Sequence, residues 1–289
     1  MIGFYKKNIH FLEIHAVDAD KRRFTNPAEA PRHFMDMEFY KPDSYPADSI
    51  PHSYDKAIQQ YGPDSMTKHG ILPWHIEHTY YRLRKAFEDQ DAVLILHYSS
   101  DLGHYVGDAH VPLHTTHNYN GQLTHQEGIH AFWESRIPEL MNREYEFFTG
   151  RALYLKNVKQ YVWKAIQDSY LEKDSVLETE ARLNKEFPAD LKYNFENKGK
   201  SLIKVYSDAY TRTYSERLNH MIERRIAESV RLLGSLWYTA WVDAGQPDLY
   251  KLINYTPADS VNTKETDIDT CRKLKFLPSI QTAYPDSSG

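Results

Sequence analysis

Two short runs constrain this chain more than any other feature. LGHYVGDAHVPLH spans Leu102 to His114, and GIHAFWESR spans Gly128 to Arg136. Together they carry His104, Asp108, His114, His130 and Glu134. His104/Asp108 and His130/Glu134 are i,i+4 pairs, so on helices each pair shares one face, one turn apart. An imidazole nitrogen and a carboxylate oxygen presented that way can meet at one cation, and zinc accepts such mixed ligands at about 2.0–2.2 Å. Five candidate ligands packed so closely predict more than one metal ion. Asp108 sits among Tyr105, Val106 and Leu113 on a segment too apolar to be a solvated face. A carboxylate buried there needs a partner or a metal.

The rest of the chain predicts an all-helical, single multi-helix domain over residues 1–250, followed by a polar tail over 251–289. The length of 289 residues is enough for a sizeable core. A helix or partial helix is expected from about Phe4 to Val17, then irregular chain from Pro27 to Pro51 with Pro42 and Pro46 as breakers. Helices follow near Ser53, after Pro73, and over about Ala92 to Gly107. The loop from Thr115 to Glu127 holds turn chemistry at Asn120-Gly121, and Ile129 to Arg136 reads as the helix of the second ligand pair. Residues 157–185 and 209–243 read as two long helices, the second with Leu218, Met221, Ile222, Ile226, Val230, Leu233 and Trp237 at helical spacing. No strand alternation stands out. No apolar run reaches the roughly 18 residues needed to span a membrane.

Net charge narrows the partners. At −5 the chain has no general electrostatic pull on nucleic acid or acidic lipid. Attraction for an anionic substrate would have to be local, and bound divalent metal would supply it. The single cysteine, Cys271, rules out an intrachain disulfide. The opening MIGFYKKNIHFL lacks the pattern of a secretory signal and reads as an internal segment.

Other polar residues carry weaker signals. His97, Asp101, His104 and Asp108 form a continuous stripe at i, i+4, i+7 and i+11, which suggests a lined cavity, with His97 and Asp101 hydrogen-bonding behind the ligands. Asp18 and Asp20 look like solvated charge taken alone. Lys21-Arg22-Arg23 reads as a surface run that could hold a phosphate beside metals. His110, His117 and His125 read as exposed loop residues.

LGHYVGDAHVPLH followed by GIHAFWESR resembles the zinc-binding core of the bacterial zinc-dependent phospholipases C and the related single-strand-specific fungal and plant nucleases. DKRRF and RHFMD, near the start, extend the likeness over Asp20 to Arg136. The resemblance implies hydrolysis of phosphoesters by water activated on zinc, in a cleft built for three ions. Carried over by position, Asp20, His33, His104 and Asp108 would hold one zinc, and His114, His130 and Glu134 a second. Asp20 is preferred to Asp18 because Asp20 with Arg23 matches the nuclease D-x-x-R pattern. The family's third zinc uses the aspartate equivalent to Asp108 together with an N-terminal Trp and a nearby His that this chain does not carry, so that site is expected to be incomplete. Asp20 would also accept a proton from the attacking water, and Arg23 would hold a nonbridging phosphate oxygen. Phe34 and Asp36 would contact the substrate, a nucleobase in the nucleases; an aromatic also suits a choline-type headgroup. Tyr105 and Glu134 resemble the phospholipases, whereas Arg23 and Phe34 with Asp36 resemble the nucleases. The likeness therefore implies release of a phospholipid headgroup, with single-strand nuclease or 3'-nucleotidase activity as the alternative, and a secreted or periplasmic protein. A zinc-stabilised binding module without turnover is the non-enzymatic alternative.

Overall fold

The computed structural model of the protein describes residues 1–40, 50–199 and 201–252. Pro42, Pro46, Cys271 and nearly all of the expected polar tail lie outside the described residues. What is described is all-helical apart from one hairpin. Helices α1 (Ile2–Lys7) and α2 (Ile9–His15) meet at Asn8, whose buried amide donates back to Phe4 O at 2.8 Å and turns the chain. α3 (Asp18–Arg22) follows. Within the stretch expected to be irregular lie a 3-10 turn, Ala30–Arg32, and α4 (Met37–Tyr40). Then come α5 (Tyr54–Tyr61), α6 (Pro63–His69) and α7 (Leu72–Glu88).

α8 (Ala92–Asp108) is the central support of the site. Asp91 caps it, accepting from Leu94 N at 3.0 Å. One flank, with Ile95, Leu96, Leu102 and Val106, is wholly buried in the larger core, against α7 and α13 (Met221–Asp243). At roughly 25 cal/mol per Å² of apolar surface, burial of that face is what holds α8 rigid. His114 sits on a 3-10 turn, Pro112–Thr115, packed under α11 (Val158–Glu186).

The helix of the second ligand pair departs from the regular α-helix expected. Ile129–Ala131 (α9) opens into a π turn, Phe132–Arg136, before α10 (Ile137–Met141). The cause is Pro138. It has no N–H to give the Glu134 carbonyl, and its ring crowds that carbonyl, so the α pattern fails there. The second long helix is also interrupted. α12 (Asp208–Arg217) ends where Asn219 and His220 take positive φ, 51° and 53°. His220 N donates to Ser215 O at 3.0 Å and Asn219 N to Glu216 O at 2.9 Å, the paired bonds of a helix stop with Asn in the left-handed position. α13 then starts afresh.

The antiparallel hairpin β1 (Tyr193–Lys198) and β2 (Ser201–Tyr206), in register Tyr193 with Tyr206, is absent from the sequence reading. It leaves little alternation to see because Phe195 and Leu202 are exposed, and it is tied down by Ser207 N on Lys192 O at 3.0 Å and by Arg136 on Glu196 at 2.8 Å. A second, smaller core (Phe132, Ile137, Val176, Tyr210 and Tyr214 among others) lies under α9–α12. Among the described residues no helix is long and apolar enough to cross a membrane.

Candidate metal centre

α8, α3 and the 3-10 turn at Ala30–Arg32 deliver the first group of ligand-type atoms. Asp20, His33 and His104 lie close enough to share one ion. His104 Nε2 is 3.1 Å from His33 Nδ1 and 3.7 Å from Asp20 Oδ1. The second group is His114, His130 and Glu134. Glu134 Oε2 stands 2.8 Å from His130 Nε2 and 3.6 Å from His114 Nε2.

Asp108 joins the groups. Its Oδ2 is 2.9 Å from His33 Nδ1 and 3.5 Å from His104 Nε2, while its Oδ1 is 3.8 Å from His114 Nε2. One carboxylate therefore faces both sets of imidazoles.

The histidines are oriented by main chain. His104 donates from Nδ1 to Ala16 O at 2.9 Å, His114 from Nδ1 to His33 O at 2.5 Å, and His130 from Nδ1 to Tyr119 O at 3.0 Å. Each bond puts the proton on Nδ1 and leaves the Nε2 lone pair aimed into the cluster. His33 is the reverse case, with Nδ1 in the cluster and Nε2 on the far side, 3.8 Å from Glu29 Oε1. Burial would raise the Glu29 carboxyl, but Arg22 and Arg32 hold it below its usual range, so it stays anionic behind His33.

Two observations fit a divalent cation. His114 Nε2 is buried with no hydrogen-bond partner among the described residues, although it points between two carboxylates. An orphaned buried nitrogen in that position is costly unless something binds it. The donors, imidazole nitrogens and carboxylate oxygens, are also of the type that borderline divalent metals take. Without a cation the charges answer one another. Burial pushes the His114 imidazole down, but Asp108, Glu134 and the His33 carbonyl outweigh it and raise it to about 9. Burial would raise Glu134, yet His114 and His130 hold it well below the carboxylate range.

Three of the imidazoles and Asp108 line the interior, while Asp20 and Glu134 reach the opening. His33, His104 and His114 side chains are between 2% and 12% exposed, against 50% for Asp20 and 38% for Glu134. Arg23, on the open side, pairs with Asp20 at 3.4 Å. Phe34 and Asp36 continue from His33 along the wall, held by Met35 N on His114 O at 2.9 Å and Asp36 N on His69 O at 2.8 Å.

Several side chains take places the sequence did not predict. Asp18 is not with Asp20; it accepts from His15 at 2.5 Å and from Lys21 at 2.9 Å. Arg22 is no surface residue. It turns inward to Asp101 at 3.0 Å, Tyr105 OH at 3.1 Å and Glu29 at 3.3 Å. Thus Asp101 serves the wall behind His33 through Arg22, and His97 packs against Phe11 and His15. His110 is buried, donating to Val106 O at 2.7 Å, because the chain after Asp108 folds under α13. His117 and His125 are exposed. His69 had no usable spacing, yet its Nδ1 lies 3.0 Å from Asp36 Oδ2 and its ring stacks on Phe39 at 3.9 Å. Burial raises the Asp36 carboxyl, with His69 opposing. Its only sequence signal is Gly70, whose φ of 83° lets the backbone press against Phe34; a Cβ there would stand 2.1 Å from Phe34 O. No protein-family model matches the chain, and neither does any curated protein.

Proposed function

We propose that this chain is a zinc-dependent phosphoesterase of the phospholipase C and single-strand nuclease superfamily, and that it releases a phospholipid headgroup. The observation that carries the reading is the Asp108 carboxylate, with one oxygen on the His33/His104 side and the other towards His114. Two cation sites joined by one acid suit a phosphoester, whose oxygens need charge stabilisation on both the attacked and the leaving side.

Asp20, His33, His104 and Asp108 would hold one ion, and His114, His130 and Glu134 another. When bound, zinc would supply positive charge that polarises the phosphoryl group and acidifies nearby water. The chain's own residues supply the rest. Asp20, half exposed at the opening, takes the proton of the attacking water. Arg23 exchanges its contact with Asp20 for a nonbridging phosphate oxygen, where a charge-assisted bond strengthens as charge develops. Phe34 and Asp36 line the side from which the substrate's organic part approaches.

The choice of phospholipid rests on Tyr105, on Glu134 and on the absence of a basic surplus, since a nonspecific nucleic-acid binder usually offers a positive groove. Single-strand nuclease activity is the second reading. It is favoured by Asp36, an acceptor beside the half-buried Phe34 and held in place by His69, which is an arrangement able to take a nucleobase edge.

The test is side-by-side assay of phosphocholine release from phosphatidylcholine and nucleotide release from single-stranded DNA and RNA, before and after chelation and with zinc restored. Chelator-sensitive phosphocholine release is the expected result. Nucleotide release alone would reverse the order of the two readings. Cleavage of neither substrate by zinc-loaded protein would leave the binding-module alternative.

A further inference from the structure

Beside the second group of ligands lies a cavity of about 170 Å³ between α13, the π turn and the end of α8. Glu134 forms part of its wall, so it adjoins the site described above. Its lining is otherwise largely apolar, from Val111, Trp133, Pro138, Ile222 and Ile226. Gly107 leaves one side open: a Cβ built there meets nothing within 4 Å.

The polar groups of this wall are mostly committed elsewhere. Arg225 gives Nε to His110 O at 3.1 Å, Nη2 to Ala165 O at 3.1 Å and to Ser169 Oγ, and Nη1 to Glu228 at 2.7 Å. Ser229 Oγ donates to Ile226 O at 2.8 Å within its own helix. His110, also on this wall, gives Nδ1 to Val106 O at 2.7 Å. The Trp133 indole is 3% exposed and its Nε1 is buried, so the wall offers an occupant the ring rather than the N–H.

We infer that this cavity seats a compact apolar group of the ester's organic portion. The inference rests on the phosphoesterase reading, which places the phosphoryl group at the adjoining ligands. The volume matches an apolar cavity of about 150 Å³ known to take benzene. A nucleobase would fit poorly, because the wall's polar groups are already bonded and the donors and acceptors around its edge would be lost to desolvation. An aryl ring or a few methylenes loses nothing by entering. The cavity thus selects against nucleic acid and for the apolar side of an ester.

The experiment uses the zinc-loaded full chain and three probes. Phenol tests the cavity alone, read at the Trp133 indole N–H resonance. Phenylphosphonate and methylphosphonate, neither of which can be hydrolysed as an ester, test its link to the metal site by calorimetry. Phenol should shift the Trp133 resonance, and phenylphosphonate should bind about tenfold more tightly than methylphosphonate, as burial of part of one ring would give. Ser229→Phe, which fills the cavity from α13 and replaces no ligand residue, should abolish the phenol shift and the tenfold preference while leaving zinc content and methylphosphonate affinity unchanged. Absence of a phenol shift in the wild type overturns the cavity as a binding site. A phenol shift with equal affinity for the two phosphonates, or a preference that survives Ser229→Phe, overturns its role in holding the ester. If methylphosphonate fails to bind while phenol still shifts Trp133, the phosphoesterase reading fails by itself, and with it the assignment of the occupant as part of an ester.

Discussion

Replacing Asp108 with Asn is the most searching perturbation of the proposed metal centre. The two side chains have nearly the same shape, and Asp108 is only 6% exposed, so the change removes charge and one acceptor without opening a cavity. Its two oxygens stand between 2.9 and 3.8 Å from nitrogens of His33, His104 and His114, so both groups feel the loss. Two unit charges about 4 Å apart attract by about 4 kcal/mol at an effective dielectric constant of about 20, and a divalent ion feels at least that much. The loss therefore corresponds to at least roughly a thousandfold in zinc affinity. Whichever way the amide is turned, its NH2 faces one of the two groups and repels a cation there. Competition calorimetry of metal-free protein, with elemental analysis of the loaded form, measures the effect at each site. Asp36→Asn is the control, since Asp36 contacts His69 and not the clustered atoms. Asp108→Asn should weaken both ions, whereas Asp36→Asn should leave both bound. In metal-free protein the His114 imidazole, held up to about 9 partly by Asp108, should titrate lower in the Asn variant. Two ions retained at wild-type affinity in Asp108→Asn, or equal zinc loss in Asp36→Asn, would refute the bridging role.

Glu134→Ala should empty the second site only and leave the circular dichroism spectrum unchanged, because Phe132 and Ile137 carry the packing of that segment while Glu134 faces the opening; loss of helicity would make the residue structural. Gly70→Ala should destabilise the fold by on the order of 3 kcal/mol in denaturant titration, since its Cβ would stand 2.1 Å from a backbone oxygen at a φ of 83° that disfavours side chains; a change under 1 kcal/mol by the same measurement would mean that the Phe34 wall is soft. His110 sets an acid limit on the metal-free protein. Burial, with Arg225 adding repulsion, lowers it to about 3, so between its unfolded value near 6.5 and that point only the unfolded chain takes up the proton. Stability should be full above pH 6.5 and fall by about 2 kcal/mol by pH 5 from this residue alone. His110→Gln should flatten that part of the stability–pH curve, and an unchanged slope would contradict the assignment.

Much of the site was legible because its spacing is local. The i,i+4 pairs His104/Asp108 and His130/Glu134 needed only the helix period to be recognised as shared faces. The runs of α7, α8 and α11 were legible for the same reason, Pro73 at the start of α7 being one such near-neighbour signal; the Asp91 and Asn157 caps emerged with the structure. Interruptions within helices were harder. Helical apolar spacing continues through Leu218 and Met221, and nothing in that pattern marks the two left-handed residues between them. Pro138 was visible, but its effect on the preceding turn falls on a carbonyl four residues back and shows only in three dimensions.

By itself, then, the sequence determined an all-helical chain and the kinds of donor it can bring to a cation, because both depend on residue type and short spacing. Only the tertiary structure decided which donors meet. It brought Asp20 and not Asp18 to His33 and His104, drew Arg22 inward to Asp101, set His69 against Asp36, and placed Asp108 between two sets of imidazoles. These partners lie far apart along the chain. What selects them is the packing of α3, the Pro112–Thr115 turn and the wall from His33 to Asp36 around α8, where buried polar atoms must find partners at hydrogen-bond distance.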